Sequence, residues 1–321
     1  MGAPPVIVQH PVSANAIVGG QVTLVVEATG PSLGYQWLKN GRPIQGATDS
    51  VLNLSGLTAA DAGSYSVAIS NPAGRIRSRN AVVQVLDNAQ ITSGLTTYFK
   101  LDENDPATVA LNSAAGGQPG ELKHPFPSWV QGQVGNALNF FGGDGDHIFV
   151  PNYAKPSAAM TVGGWIYSYS DQWGPLLNNW VPSRIAGAKG QFFLNVASVG
   201  GVASLNGGIE VGANQVLSSG PIDASLNTWH HFAMSANGVT LSLYWDGQLV
   251  GSVDYFGPIN AATFPWLAIG AELGDDLTVP PVATFGNGLF DDIAIWNRSL
   301  SDIEIQGVEI GRASCRERVC T

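Results

Sequence analysis

Apolar and polar residues alternate in two runs near residue 240, and these runs predict adjacent antiparallel strands. The first run spans Trp229–Met234 and the second spans Leu241–Trp245. Asn237-Gly238 lies between the runs and Asp246-Gly247 follows the second, and both dipeptides favour tight turns between antiparallel strands. The pattern therefore predicts a β-meander within a sandwich.

Within this meander the two histidines are adjacent, so that His230 and His231 point to opposite faces of one strand. They are poorly placed to bind one metal ion together, and we interpret them as framework residues. The tryptophans at positions 165, 229, 245 and 296 also fit strand patterns and are predicted to be core or half-buried residues.

Short alternating runs also fill the first 90 residues, separated by turn signals such as Lys39-Asn40-Gly41 and Asn71-Pro72-Ala73-Gly74. Val22, Leu24 and Val26 share one face of a predicted strand. These features predict a second β-sandwich at the N-terminal end.

The Asp-x-Gly-x-Tyr motif at Asp61–Tyr65, together with Trp37, resembles the intermediate type of immunoglobulin-like domain. The resemblance implies that Trp37 is the core tryptophan and Tyr65 the tyrosine-corner residue. Val26 and Val67 stand where this family has its two disulfide cysteines, so that packing must replace a cross-link of about 2 to 4 kcal/mol. Such domains mostly act as spacers or adhesion units, and we assign no site to this one.

From Leu95 onward several motifs occur in an order that resembles the laminin-G-like, concanavalin A-like jelly rolls. They are the Leu-Asp-Glu strand at Leu95–Glu103, the Gly-x-Ala-Leu-x-Phe strand at Gly135–Phe140, the strand at Met160–Tyr167, the meander, and the closing segment Gly288–Ser301. The resemblance implies an all-β jelly roll and favours binding or adhesion over catalysis. Ser301 and Glu304 then predict a capped helical turn.

The chain length of 321 residues suggests two domains, and the 40 glycines with only 12% charged residues suit short strands and turns. We predict an all-β protein with an immunoglobulin-like domain at 1–87, a short polar linker at 88–94 and a C-terminally truncated jelly roll at 95–308. Residues 309–321 are predicted to be a non-native tail.

The tail contains three arginines and both cysteines of the chain. Its reverse translation resembles a short-read sequencing adapter read in frame. The alternative is a basic tail with a thiol pair, although this is a weak zinc signal. A genomic locus that encodes the tail between native flanks would contradict the adapter interpretation.

The net charge of −10 disfavours a nucleic-acid partner, because that affinity depends largely on Lys and Arg. No apolar run reaches the ~18 residues of a membrane span. The N-terminus lacks signal-peptide features, which suggests a fragment of a longer gene with further domains. The general character of the sequence is typical of a bacterial protein. We expect the protein to be located outside the cell or on the cell surface.

Calcium binding is the most specific hypothesis for a site, because several acidic segments supply the carboxylate and amide oxygens that calcium prefers. The candidate ligands are Asp102, Asn112, Asp144, Asp146, Asp291 and Asp292. In related jelly rolls acids from distant strands often meet, so that Asp102 and Asp292 are expected to converge if calcium binds. The alternative is that these acids cap turns.

Carbohydrate binding would use exposed aromatic residues with neighbouring amides and acids. The segment Tyr167–Trp180 breaks strand alternation and predicts a loop that carries Trp173, Asn179 and Trp180. A second loop with Asp275 and Asp276 could face it. The alternative is that both tryptophans pack over a sandwich edge.

An enzyme is the remaining alternative, since some concanavalin A-like sandwiches are glycosidases or lyases. A retaining glycosidase needs two paired carboxyls, which in this superfamily typically lie in one strand as Glu-x-Asp-x-x-Glu. The sequence has no such run, and Glu210 and Glu272 each stand alone. We therefore predict a non-catalytic module that binds glycan or a surface protein. A purely structural spacer or display module is the second hypothesis.

Overall fold

Strands dominate the computed structural model, and the predicted all-β class is confirmed. The structure describes residues 2–104, 107–123, 127–141, 145–180, 190–212, 214–259, 265–273 and 282–315. Contacts divide the chain into two units, Met1–Thr92 with Gln306–Thr321, and Ser93–Ile305. The predicted boundaries at 87 and 95 lie on either side of the first division.

The strands of the first unit are short, because turn residues interrupt the alternation every few positions. They are β1 (Val6–Gln9), β2 (Ala14–Ile17), β3 (Gln21–Val25), β4 (Glu27–Thr29), β5 (Gly34–Lys39), β6 (Arg42–Pro43), β7 (Val51–Ser55), β8 (Gly63–Asn71), β9 (Gly74–Arg77) and β10 (Ala81–Leu86). One sheet has the order β2-β10-β8-β5-β6 with β9 beside β8, and the pairs β3-β7 and β1-β4 oppose it.

Trp37 lies at the centre of this first core and is fully buried, with its indole Nε1 donating to the Asp49 carbonyl at 2.9 Å. Val26 and Val67 are buried in the same cluster, as predicted from their places in the family pattern. The hydroxyl of Tyr65 donates to the Asp61 carbonyl at 2.7 Å, which confirms the tyrosine corner.

The segment that we predicted as a polar linker contains a short helix, α1 (Asn88–Thr92). Asp87 and Gln90 cap it reciprocally, since each backbone N–H donates to the other side chain, at 3.0 and 2.8 Å. Ile91 is buried. The capping pair and the apolar residue explain why this segment folds locally.

The strands of the second unit form two facing sheets. They are β11 (Leu95–Phe99), β12 (Val109–Ala110), β13 (Gly120–Lys123), β14 (Ser128–Gln131), β15 (Asn136–Phe141), β16 (His147–Val150), β17 (Met160–Tyr167), β18 (Pro175–Asn178), β19 (Phe192–Val199), β20 (Val202–Glu210), β21 (Asn214–Ser218), β22 (Trp229–Ala236), β23 (Thr240–Trp245), β24 (Gln248–Asp254), β25 (Leu267–Ile269), β26 (Ala271–Leu273), β27 (Val282–Phe285) and β28 (Asn287–Trp296).

The first jelly-roll sheet has the order β14-β15-β28-β17-β22-β23-β24, with β11 also paired to β28. The second has the order β12-β13-β16-β25-β18-β19-β20-β21, and β26 pairs with β27. Side chains from the inner faces of both sheets form one core, which includes the fully buried Phe99, Phe140, Phe192, Phe232 and Phe290.

The predicted meander is present as β22, β23 and β24, with its turns at Asn237-Gly238 and Asp246-Gly247. The predicted capping of the last helix, α2 (Asp302–Cys315), is also confirmed. Glu304 accepts from the backbone N–H and the hydroxyl of Ser301, both at 2.9 Å. Within the described part of the chain, no helix is long and apolar enough to cross a membrane.

Candidate functional site

The predicted loop at 167–180 is interrupted by a strand, which corrects our interpretation of this segment. β18 (Pro175–Asn178) lies inside it and pairs with β19 and β25. Leu176 and Leu177 are both buried in the core. A buried strand need not alternate in polarity, and for this reason the periodicity did not reveal it.

Trp173 precedes β18 and closes one end of the core. Its ring meets the edge of Trp245 at 6.0 Å between centroids and that of His230 at 6.5 Å. It is half-buried and packs against the core cluster. This placement corresponds to the packing alternative for Trp173.

Trp180 follows β18, at the opposite end of this strand from Trp173. Its ring packs edge to face on Phe193, with the centroids 5.2 Å apart. Its backbone N–H donates to Oδ1 of Asn178 at 3.0 Å. The two candidate tryptophans therefore do not form one site.

Asn179 is almost fully buried and has a structural role. Its backbone N–H donates to the Phe192 carbonyl at 2.9 Å, and its side-chain amide donates to the Trp266 carbonyl. The other predicted ligand-binding residues, Asp275 and Asp276, lie outside the described residues.

A row of residues on the outer face of the second sheet was not predicted from the sequence. Register places Phe149 of β16 beside Ala268 of β25, Ala268 beside Asn178 of β18, and Asn178 beside Phe193 of β19. Neighbours on these strands point into the core, so that this row faces outward. At the usual strand spacing the row extends over about 14 Å.

An aromatic pair lies at each end of this row, which we call the aromatic row. At one end Phe193 packs with Trp180, and at the other Phe149 meets the edge of Trp266 at 5.8 Å. Trp180, Phe193 and Trp266 are half-buried, so that parts of their rings remain accessible. Ala268 and Asn178 lie between the two pairs and are buried, as is Phe149. Oδ1 of Asn178 accepts from the N–H groups of Trp180 and Leu273.

Beside the aromatic row, Phe193 lies over Gly208, where an added Cβ would approach the phenyl ring to 2.4 Å. Two residues along β19, the side-chain oxygen of Asn195 is buried without a hydrogen-bond partner in the protein. Asn195 is in register with Asn206 of β20. Buried and partly exposed side chains alternate along most of β19, from Phe192 to Val199. This alternation was the sequence signal that Phe193 and Asn195 lie on the outer face of the sheet.

Among the described residues, an ion pair and a neutral histidine lie at the Phe149 end of the aromatic row. Lys123 and Glu121 form an ion pair at 2.5 Å, and Nζ of Lys123 is 5.6 Å from the centroid of Phe149. Burial is the main cause that lowers the pKa of His147. The Gly145 carbonyl opposes this effect and Lys123 adds to it. His147 is therefore neutral at neutral pH.

The histidines of the meander are buried framework residues, as predicted. His230 stacks on Trp245 at 5.0 Å, and its Nδ1 is 2.8 Å from Oδ2 of Asp246. His231 meets the edge of Trp165 at 5.3 Å on the other face of the sheet. The predicted placement of Trp165, Trp229, Trp245 and Trp296 is also confirmed.

The candidate calcium ligands near the start of the jelly roll make hydrogen bonds within the protein. Oδ1 of Asp102 accepts from the Asn136 N–H at 3.1 Å. Oδ1 of Asn112 accepts from the N–H groups of Tyr98 and Ala114, both at 3.0 Å, as turn-capping asparagines do.

The later candidates are buried acids that also accept hydrogen bonds. Asp146 accepts from the Phe141 N–H at 3.1 Å, Asp291 from the Val134 N–H at 3.0 Å, and Asp292 from the Tyr98 hydroxyl at 2.6 Å. Asp144 lies outside the described residues. Among the residues that are described, no group of three or more His, Cys, Asp or Glu side chains is placed to hold a metal ion.

Calcium binding stays a prediction, and thermal melting tests it. If these acids hold calcium, the melting midpoint of the jelly roll will rise at millimolar calcium, the range of extracellular modules, and fall back with a chelator. An unchanged midpoint contradicts the calcium hypothesis.

Comparisons with known proteins assign both domains. A family model described as the concanavalin A-like lectin/glucanases superfamily matches residues 141–306, and an immunoglobulin domain model matches residues 4–71. The chain is 34% identical over 82 residues to human HEPACAM family member 2, covering 23% of this chain and 18% of that protein. It thus spans about a fifth of the length of this curated relative.

Two solved structures are similar to this chain, one to its jelly roll and one to its immunoglobulin domain. Domain 4 of AbnA, a GH43 extracellular arabinanase from Geobacillus stearothermophilus in complex with arabinotriose, is 16% identical with a TM-score of 0.48, covering 67% of this chain and 98% of that one. An immunoglobulin complex of titin M10 and obscurin like 1 is 26% identical with a TM-score of 0.26, covering 27% of this chain and 97% of that one.

Both domain types are typical of extracellular or cell-surface proteins, and together they are typical of a binding or adhesion module. The lectin-like match covers about half of the chain and most of the jelly-roll unit, from residue 141 onward. The chain therefore belongs to the concanavalin A-like lectin/glucanase superfamily and carries an immunoglobulin domain at its N-terminal end.

Proposed function

We propose that the jelly-roll domain binds carbohydrate at the aromatic row on the outer face of its second sheet. The observation that carries this proposal is the half-buried pair of Trp180 and Phe193, with the half-buried Trp266 at the other end of the row, beyond the buried Asn178, Ala268 and Phe149. Aromatic rings present flat apolar surfaces to the C–H faces of sugars, and amides hydrogen-bond sugar hydroxyls. Asn195 and Asn206 extend this polar surface.

The electrostatics support a neutral glycan as the ligand. Among the described residues at the Phe149 end of the aromatic row, the ion pair of Lys123 with Glu121 and the neutral His147 leave little net charge. A neutral ligand loses less by desolvation than a charged one on a surface without complementary charge. The immunoglobulin domain then serves as a spacer. Both domain types are typically non-catalytic, which agrees with a binding role.

Replacement of Phe193 with Ala is expected to weaken glycan binding about tenfold or more, because the sugar loses its stacking surface. Trp180→Ala should act in the same direction, since the two rings pack on each other. The measurement is a glycan array with the full chain, followed by calorimetric titration of the glycan that binds best.

Phe256→Ala is the matched control, because this phenylalanine is 86% exposed in the segment that follows β24, an edge strand of the first sheet. It should bind glycan as tightly as the parent chain. Equal affinity of the parent and Phe193→Ala would place the site elsewhere. No binding to any arrayed glycan would favour the structural spacer, while binding only to a surface protein would favour an adhesion role.

A further inference from the structure

Hydroxyl side chains form a continuous row on the outer face of the first jelly-roll sheet. Register places Thr161 of β17 beside Ser235 of β22, Ser235 beside Ser242 of β23, and Ser242 beside Ser252 of β24. Successive members lie about 5 Å apart, the spacing between neighbouring strands. This face is opposite the sheet that carries the aromatic row.

The segment after β28 crosses one end of this row and is fixed there by hydrogen bonds. The hydroxyls of Ser235 and Ser299 are 2.8 Å apart, and the Leu300 N–H donates to the Thr161 hydroxyl at 2.8 Å. The hydroxyl of Tyr244 donates to Oδ1 of Asp302 at 2.6 Å. The wall that this segment makes is therefore attached to the sheet at three points.

Between this wall and β24 lies a groove of about 320 Å³, which we call the hydroxyl groove. Its size is at the lower end of the range for small-ligand pockets. Ser242, Ser252, Ser299 and Ser301 line it, with Leu249 at one side. Ser252 is exposed and Ser242 half-buried, so that their hydroxyls can reach a ligand.

The lining selects the chemical class of ligand. None of the residues that line the hydroxyl groove is Lys, Arg or His, which disfavours phosphates and carboxylates. The one carboxylate, Asp302, already accepts from Tyr244 and falls short of the six or more oxygens that calcium takes. Leu249 and Leu300 supply too little apolar surface for a lipid. Serine hydroxyls both donate and accept, which matches sugar hydroxyls.

We propose that the hydroxyl groove is a second carbohydrate site that binds a single neutral sugar unit, either a free monosaccharide or the end of a chain. Its residues come from β22, β23, β24 and residues 299–302, and none belongs to the aromatic row. The proposal is therefore independent of glycan binding at that row. The fixed wall reduces the ordering that binding requires.

The test is amide chemical-shift mapping of the full chain with glucose, galactose, mannose, xylose and arabinose, one at a time, and with inorganic phosphate. At least one sugar should shift the amides of Ser242, Ser252 and Ser299, with saturation at millimolar concentration, and phosphate should not. Ser252→Trp fills the groove from an exposed position and should weaken this binding about tenfold or more.

Two variants separate this site from the others. Ser157→Trp places the same bulk at another exposed serine and should leave the shifts unchanged, as should Phe193→Ala. The proposal is overturned if no sugar shifts the groove amides, if phosphate shifts them equally, or if Ser252→Trp binds as well as Ser157→Trp. Loss of groove binding in Phe193→Ala would also overturn it, because the two sites would then not be independent.

Discussion

Replacement of Trp37 with Ala is expected to lower the free energy of unfolding of the immunoglobulin domain by about 3 to 5 kcal/mol, the usual cost of removing a buried tryptophan. Trp37 is fully buried and its Nε1 donates to the Asp49 carbonyl. Val26 and Val67 occupy the cross-link positions, so that no disulfide compensates. Domains of this size have about 5 to 15 kcal/mol in total, which makes the loss a large fraction.

Scanning calorimetry of the full chain measures this effect. A loss of 3 to 5 kcal/mol should lower the melting midpoint of the immunoglobulin domain by roughly 12 to 40 °C and leave the jelly-roll transition in place. Val25→Ala removes an apolar side chain that is 40% exposed, from the neighbouring position to Val26, and should shift the midpoint little. If Trp37→Ala does not accumulate, Trp37→Phe keeps a ring but loses the indole donor, and should cost about 1 to 3 kcal/mol. A Trp37→Ala midpoint equal to that of Val25→Ala would contradict the prediction.

The immunoglobulin core could be predicted because its signals are local. In β3 every second side chain is buried, as the alternation of Val22 and Leu24 with polar residues indicates. Tyr65 lies four residues after Asp61 and two before Val67, and its hydroxyl reaches the Asp61 carbonyl. Short sequence separations of this kind are readable without knowing which strands are neighbours.

The aromatic row could not be predicted, because it depends on the order of strands that are distant in sequence. Phe149, Ala268, Asn178 and Phe193 lie on β16, β25, β18 and β19. β25 lies between two strands that precede it in the chain by about 90 and 120 residues. A shift of one residue in any pairing would turn its side chain into the core. Periodicity identifies the faces of one strand but not its partners.

The different placements of Trp173 and Trp180 show the same limit. From the sequence both tryptophans lie in one segment without alternation, and both were candidates for sugar contact. β18 lies between the two tryptophans. At one end of this strand Trp173 packs on Trp245 and His230, and at the other end Trp180 packs on Phe193. Both tryptophans pack on other rings of the domain, and sugar contact by Trp180 stays a prediction.

Asp246 connects the turn of the meander to both histidines and is the residue whose loss should most affect the jelly roll. It has φ 47°, in the left-handed region that Asp and Asn tolerate better than Ala does. Its Oδ1 accepts from the His231 N–H and its Oδ2 from Nδ1 of His230, both at 2.8 Å. One carboxylate thus connects the two adjacent histidines to the Asp246-Gly247 turn of the meander.

The contact with Asp246 also makes stability depend on pH. Burial disfavours charged His230, but the hydrogen bond and charge of Asp246, the Ser225 carbonyl and the Asp223 charge outweigh burial and raise the pKa of His230. Since the folded-state pKa exceeds the unfolded value of about 6.5, the stabilisation is complete below that pH. It is lost as the pH rises through the folded-state pKa.

Asp246→Ala is therefore expected to lower the free energy of unfolding of the jelly roll by about 2 to 4 kcal/mol, from the unpaired His231 N–H and the strained turn. Asp246→Asn keeps the turn and an acceptor but removes the charge, so that it should cost less and flatten the decline in stability as the pH rises above about 6.5. Calorimetry across this range measures both effects.

Asp254→Ala, which removes an exposed acid at the end of β24, is the control that should retain the pH dependence of the parent chain. A parent chain whose jelly roll gains stability with rising pH, or an Asp246→Asn variant with an undiminished slope, would contradict the assignment of this dependence to the contact between His230 and Asp246.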